Sequence, residues 1–425
     1  MKKLLVALLS TCGIFGSAQV MADDATASST LPEWSSYMKD LVPIGERYVD
    51  KLKDPSDPVL RQRLYMFAYE MLAQGYFDLL YQDAKHPDFW PMFNQAFNLL
   101  FPNPDDSYQE TMLDDNGIYK ISGTRGSVHM VSFQVGGGTF FVNGGGGRAG
   151  MGRALATYDL DQHTHVKKDG TFEFILSAER PKGWKGDWWK LPASATWIVV
   201  RQVGYDWVHE VDARLAIDRL DTPAIKPRAT AAELEAGLKQ IPVWADGWIQ
   251  LSLDWIANLR KQDVINKMIV RDYSKSGGLS TQRYIEGLFD VANDEALILE
   301  TEMPKHCRYW NFQLADEMWG SIDWTNRQST LNGHTGKVDK DGKFRAVISA
   351  QDPGVPNWMD NAGYQRGYLY GRWESCDSYP TPTITKIKVA DVRKYLPADT
   401  PVVTAEARDA SIREKRRAVQ MRRRW

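Results

Sequence analysis

The stretch FRAVISAQDPGVPNWMDNAGYQRGYLYGRW, Phe344 to Trp373, decides the fold class. It opens as a strand, with Val347 and Ile348 set among polar residues. It breaks at Asp352-Pro353-Gly354, where Pro fixes φ and Gly permits positive φ. Asn357, Trp358 and Asp360 follow on an irregular segment, and a second strand, Tyr368 to Trp373, returns through Gly363 and Gly367. A loop that spends a Trp, an Asn and two Asp between two strands is either a rigid corner or the lip of a site.

Outward from this block the chain alternates between helical and strand-like patterns. Residues 23–105 read as a polar leader followed by helix, with Leu64, Phe67, Met71 and Leu72 at helical spacing after Pro58. Residues 106–225 read as a first β block, with strands expected at Tyr119–Ile121, Val128–Val135, Thr139–Val142, Thr171–Leu176, Trp197–Val203 and Leu215–Ile217. Residues 226–300 return to helix, where Ile241, Trp244, Trp248, Leu251, Trp255 and Leu259 share one face. Residues 301–382 form a second β block, and 383–425 end in a basic helix. Many short strands with turn signals predict a mainly β protein with helical additions (α+β), built as a jelly-roll-like antiparallel β-sandwich that the second block completes.

Lys2 and Lys3, the apolar run Leu4 to Gly16 and the small-residue site Val20-Met21-Ala22 read as a signal peptide over residues 1–22. The expectation is therefore a periplasmic protein cleaved after Ala22. Leu9-Ser10-Thr11-Cys12 resembles a lipobox, but Thr11 fits poorly before the cysteine and the apolar run continues past it. The apolar run is short for a membrane span, so no transmembrane segment is expected. Removing Lys2 and Lys3 with the leader leaves 50 basic against 54 acidic residues and takes the net charge from −2 to −4, which speaks against a nucleic-acid partner. Two cysteines remain, Cys307 and Cys376, either paired in an oxidising compartment or buried as free thiols.

The block Asp352-Pro353-Gly354-x-x-Asn357-Trp358-x-Asp360, followed by Arg372-Trp373, resembles the C-terminal signature of a bacterial family known as domain of unknown function twelve-fourteen. The resemblance extends over roughly residues 105 to 375. It includes Tyr119 to Gly126, Asp169 to Glu173, Asp206-Trp207-x-x-Glu210, Cys307 to Asn311 and Ser329-x-x-Asn332. Relatives carry Gly-Asn-Trp where this chain has Gly186-Asp187-Trp188. The resemblance implies a jelly-roll-like β domain and carries no established catalytic residues.

Most chemistry candidates are weak. Gly145-x-Gly147-x-x-Gly150 matches a dinucleotide fingerprint, but the segment after it is too short for the helix of a βαβ unit, so no cofactor is expected. His163 and His165, two apart, read better as an exposed hairpin than as metal ligands, and no metal is expected. His129 shares a strand face with Val131 and Phe133 and reads as a core histidine. No nucleophile elbow is present. Asp206 and Glu210 follow the strand that carries Arg201, and the three form either a general acid/base set or a corner salt bridge. Trp184, Trp188 and Trp189 sit in a Gly/Lys-rich loop that cannot bury them all locally.

Two functions compete on this reading. The first is a binding module for a carbohydrate or a hydrophobic small molecule, with Trp358, Asn357, Asp352, Asp360, Arg372 and Trp188 lining a pocket at the sandwich end. The alternative is a cofactor-independent periplasmic hydrolase, lyase or isomerase, with Glu210 or Asp206 as base and Arg201 or Arg372 as electrostatic partner. Nothing in the sequence excludes an oligomer.

Overall fold

In a computed structural model the described residues are 31–138, 152–274 and 278–422. The leader, the expected strand Thr139–Val142 and the glycine fingerprint lie outside them. Among the described residues the first β block supplies β2 (Asp106–Met112), β3 (Tyr119–Thr124), β4 (Met130–Gly137), β5 (Arg153–Asp159), β6 (Thr171–Ser177), β7 (Asp187–Lys190), β8 (Ala195–Val203) and β9 (Arg214–Arg219), and a further strand, β1 (Trp90–Met92), comes from the stretch expected to be helical. They form two sheets in the orders β1-β2-β8-β4-β5 and β7-β6-β3-β9. Val131, Phe133, Ile198 and Val200 from one sheet pack on Tyr119, Ile121 and Phe174 from the other.

The second block does not complete this sandwich, contrary to expectation. It builds a sandwich of its own from β10 (Ile269–Arg271), β11 (Gln282–Asp290), β12 (Glu295–Glu302), β13 (Cys307–Ala315), β14 (Thr330–Asn332), β15 (Lys343–Ser349), β16 (Trp358–Asp360), β17 (Arg366–Cys376) and β18 (Thr383–Lys388). Its sheets run β10-β11-β17-β13-β14 and β16-β15-β12-β18. Each order is that of the first sandwich with nine added to every strand number, so the fold is duplicated. Pairing is antiparallel except for β6 with β7 and β15 with β16, again equivalent pairs. The duplication is visible in sequence at one place: Asp169-Gly-Thr-Phe-Glu-Phe-Ile-Leu-Ser-Ala-Glu-Arg-Pro181 aligns without a gap on Asp341-Gly-Lys-Phe-Arg-Ala-Val-Ile-Ser-Ala-Gln-Asp-Pro353. Both copies open on a glycine at positive φ, Gly170 at 82° and Gly342 at 81°, which fixes the hairpin turn before each strand.

The α-helices of the described residues are α1 (Trp34–Leu41), α2 (Pro58–Tyr76), α3 (Leu160–His163), α4 (Ala231–Arg260) and α5 (Ala405–Met421). Asp57 caps α2 by accepting from Val59 N at 2.8 Å, with Pro58 in the first turn. A capping box between Thr230 and Glu233 starts α4. The helix expected over 226–300 ends at Arg260, and Gln282–Asp290 and Glu295–Glu302 are strands. Both strands are buried on two faces, so neither shows the apolar/polar alternation that marks a strand in sequence. Helices α2 and α4 pack on each other, and Trp244 and Trp248 of α4 are fully buried in a core that also takes Trp197 and Val199 of β8 and Tyr284, Tyr368 and Tyr370 of β11 and β17. That core holds the two sandwiches with the β2/β8 and β11/β17 sheets turned toward each other. No helix among the described residues is long and apolar enough to cross a membrane.

Candidate functional site

Strand β17 explains where the site lies. Leu369, Gly371 and Trp373 point into the second sandwich, while Tyr368, Tyr370, Arg372 and Glu374 point the other way. A Cβ at position 371 would sit 2.7 Å from the Phe312 ring, so glycine is required for that packing. The outward row is buried too, because the first sandwich faces it. In cross-strand register Tyr284 pairs with Arg372, which pairs with Asn311. In the first sandwich Tyr108 pairs with Arg201, which pairs with Ser132. The same Tyr–Arg pair thus occupies equivalent places in the two duplicated sheets.

The two pairs line one cavity of about 110 Å³, with Asp106, Gln282 and Tyr370, under a cover of Phe101, Trp255 and Trp319. One water needs only about 10–15 Å³ by the same measure, so there is room for a small molecule. A wider depression of about 330 Å³ shares Phe93, Asp106 and Tyr108 with the cavity and continues past Trp324 and Arg422.

The charges are unbalanced. Arg372 is 5 % exposed. Its Nη1 donates to Gln313 Oε1 at 2.5 Å and its Nη2 to the Phe101 carbonyl at 3.1 Å, and the guanidinium lies 4.8 Å from the Tyr370 ring centre. The Arg201 guanidinium lies 5.9 Å from the Tyr108 ring centre, and its Nη1 is buried without a hydrogen-bond partner in the protein. Neither arginine forms an ion pair among the described residues. Asp106 is the carboxylate in the cavity, held by Asn103 Nδ2 at 3.0 Å. Burial pushes its carboxyl up to about 6, although Arg372 and Arg201 both pull it down. Burial also raises Glu374, on the same face as Arg372. Glu286, two residues along β11 from Tyr284, is occupied by Tyr273 Oη at 2.8 Å, Arg271 Nε at 3.1 Å and Tyr368 Oη.

A chain of hydrogen bonds leads away from the cavity. Arg372 donates to Asn311 at 3.3 Å, Asn311 to Asn103 at 2.7 Å, and Asn103 to Tyr309 Oη at 2.8 Å. Tyr309 donates to Asp105 at 2.6 Å. These groups are all buried, so they fix Arg372 rather than leaving it to swing.

Of the residues singled out in the sequence, Arg201 and Arg372 come together here and the others do not. Trp358 is 6 % exposed, packs with Val347 and Val355, and donates Nε1 to the Ser349 carbonyl at 3.1 Å. It fills the outer side of the second sandwich and does not line the cavity between the sandwiches. Asn357 ties three backbone groups, accepting from Lys337 N at 2.8 Å and donating to the Lys337 and Arg345 carbonyls. Asp352 pairs with Arg408 of α5 at 2.8 Å and Asp360 with Arg327 at 2.8 Å. Trp188 lies on β7 and donates to Ser177 Oγ at 3.0 Å, and Trp189 stacks on Phe174 in the core. Glu210 accepts from the backbone N–H groups of His129, Tyr205 and Asp206, and Asp206 accepts from Val208, His209 N and His209 Nδ1. Both carboxylates hold the turn after β8, while Arg201, on the strand itself, points to the facing sandwich. His163 ends α3 instead of sharing a strand with His165. Trp255, read as core, covers the cavity.

Asp106, Tyr108, Tyr284 and Tyr370 were missed. The available signal was the alternation Tyr368-x-Tyr370-x-Arg372-x-Glu374 opposite an apolar face, and the Tyr-x-Glu shared by Tyr108/Glu110 and Tyr284/Glu286.

No known protein family is found to match the chain, and no curated protein matches it. Among solved structures it is similar to an uncharacterised protein from Burkholderia cenocepacia, at 25% identity and a TM-score of 0.76, over 84% of this chain and 97% of that one. It also aligns with the VPA0106 protein from Vibrio parahaemolyticus at 11% identity and a TM-score of 0.44, over 76% of this chain and 98% of that one.

Proposed function

We propose that the protein binds a small anionic molecule with a flat apolar body in the cavity between the two sandwiches. One observation carries this reading: Arg201 and Arg372 converge on a cavity without an ion-pair partner, against a carboxyl that burial holds near 6. A buried guanidinium left without a carboxylate is costly, and a ligand carboxylate would supply the bidentate partner. Tyr108, Tyr284, Tyr370 and Trp255 supply faces for an aromatic or unsaturated body. This moves the site expected at a sandwich end to the interface of two sandwiches and replaces a carbohydrate by an acid. The leader sequence supports an exported protein, so the ligand would be met outside the cytoplasm.

The test is calorimetry with small aryl and cinnamyl carboxylates against their primary amides. The acids should bind at least about tenfold more tightly than the amides, and Arg372→Met should remove that difference. Acids binding no better than amides would sink the proposal. A second reading is favoured by Asp106 itself: a carboxyl held near 6 beside two arginines is suited to proton transfer on a bound acid. On this reading Asp106→Asn keeps binding and loses proton exchange, followed by deuterium uptake at the carbon next to the carboxylate.

A further inference from the structure

A second cavity, of about 440 Å³, lies where α5 crosses the end of the second sandwich. Lys415 of α5 points into it, 4.6 Å from the ring centre of Trp207. Lys340 pairs with Asp399 at 2.5 Å and Lys394 with Asp391 at 2.7 Å, whereas Lys337, which also borders this cavity, is exposed. Lys415 makes no ion pair or hydrogen bond among the described residues. The anion that acts most on it, Asp105, is fully buried and its oxygens are taken by Trp207 Nε1 at 2.9 Å, Asn332 Nδ2 at 2.7 Å and Tyr309 Oη at 2.6 Å. Arg408, which also borders the cavity, is committed to Asp352.

We propose that this cavity is a carbonyl-binding site in which Lys415 forms an imine with a small hydroxylated aldehyde. The geometry supplies the three parts such a site needs. An amine stands in a cavity with no carboxylate locked onto it. The Trp207 face covers one side of the bound carbon chain. Asp206, Thr335 and Ser411 offer acceptors and donors for ligand hydroxyls. Asp105, Asp206 and Glu414 all border the cavity, so a keto acid is disfavoured and a neutral aldehyde fits. In the step, the Lys415 Nζ lone pair forms a bond to the carbonyl carbon and the oxygen takes up a proton. The resulting carbinolamine then loses that oxygen as water, leaving a C=N bond, with one water released per imine and no change of oxidation state. Burial lowers the Lys415 ammonium to about 8, with Asp105 opposing, so roughly a fifth of it is free amine at pH 7.4. An ordinary lysine is almost wholly protonated there. The site is distinct from the cavity between the sandwiches, to which Asp105 and Tyr309 connect it.

The experiment uses the whole folded chain with glycolaldehyde and cyanoborohydride, which reduces the imine to a stable amine, followed by peptide mass spectrometry. Lys415 should be labelled about tenfold faster than Lys239, Lys340 or Lys394, and its rate should climb with a midpoint near pH 8. Labelling should saturate with aldehyde, and glycerol should compete. In urea the preference should vanish. Equal labelling of all lysines, a preference that persists in urea, or a rate linear in aldehyde concentration would each overturn the proposal. Lys415→Arg, which keeps the cation over Trp207, should leave the melting temperature unchanged and abolish the fast-labelled site.

Discussion

At Trp358 a single side chain separates a corner from a binding lip. Its ring is buried, its Nε1 is satisfied by Ser349, and the Arg408 guanidinium lies 5.2 Å above it. Trp358→Ala should therefore cost about 3–5 kcal/mol of stability, read by chemical denaturation, and leave aryl carboxylate affinity as in the wild type. Arg201→Met should show the converse, a loss of acid binding with little loss of stability, since Arg201 Nη1 has no partner in the protein to lose. A Trp358 variant that folds normally and binds nothing would reverse both assignments. Asp106 adds a pH dependence to binding. Its carboxyl sits near 6, so above that pH it carries a charge that competes with a ligand anion for the two arginines. Acid affinity should fall as pH rises from about 5 to 7, and Asp106→Asn should flatten the profile.

At the level of elements, the central strand pair of the second sandwich is tied covalently. Cys307 and Cys376 stand opposite each other in the β13/β17 ladder and form a disulfide across 69 positions. Closing a loop of that length restricts the unfolded chain by roughly 4 kcal/mol in the chain-entropy model. Cys307→Ala with Cys376→Ala should lower stability by about that much relative to the oxidised wild type, and the reduced wild type should behave like the double variant. The pairing was open in the sequence because nothing there sets β13 beside β17; only the register does. The boundaries of α4 show the same limit. Its start was legible, since Thr230 and Glu233 make a capping box, and so was its tryptophan face. Its end was not, because β11 and β12 are buried on both faces and lose the alternation that marks a strand.

For the whole molecule, the joint between helices and sheets contains an acid pair. Asp78, just after α2, and Glu110 of β2 are both buried, with Gln74 and Gln82 facing them. Burial raises Asp78 to about 7, and burial together with Asp78 raises Glu110 well above the carboxylate range. The folded state therefore binds protons more tightly than the unfolded chain. The stabilisation is complete below about pH 4 and is lost as pH rises through about 7. Asp78→Asn with Glu110→Gln should make the melting temperature less steep in pH between 4.5 and 8 than the wild type. Parallel curves would mean that the pair carries no net proton on folding.

The sequence by itself determined what depends on near neighbours along the chain. Turn chemistry at Asp169-Gly170, Asp341-Gly342 and Asp352-Pro353-Gly354, the helical spacing of Trp244 and Trp248, and the strand composition of β3, β4, β6, β8 and β9 all follow from local φ/ψ limits and side-chain period. It also named Arg201 and Arg372, as electrostatic partners for a carboxylate base. The tertiary structure decided the rest, since two sandwiches of one topology face each other only after each has folded. Whether the outward row of β17 meets water or the equivalent row of β8 is a matter of packing between segments more than a hundred residues apart. Both Tyr–Arg pairs line the cavity, and no local signal brings Arg201 and Arg372 to one place.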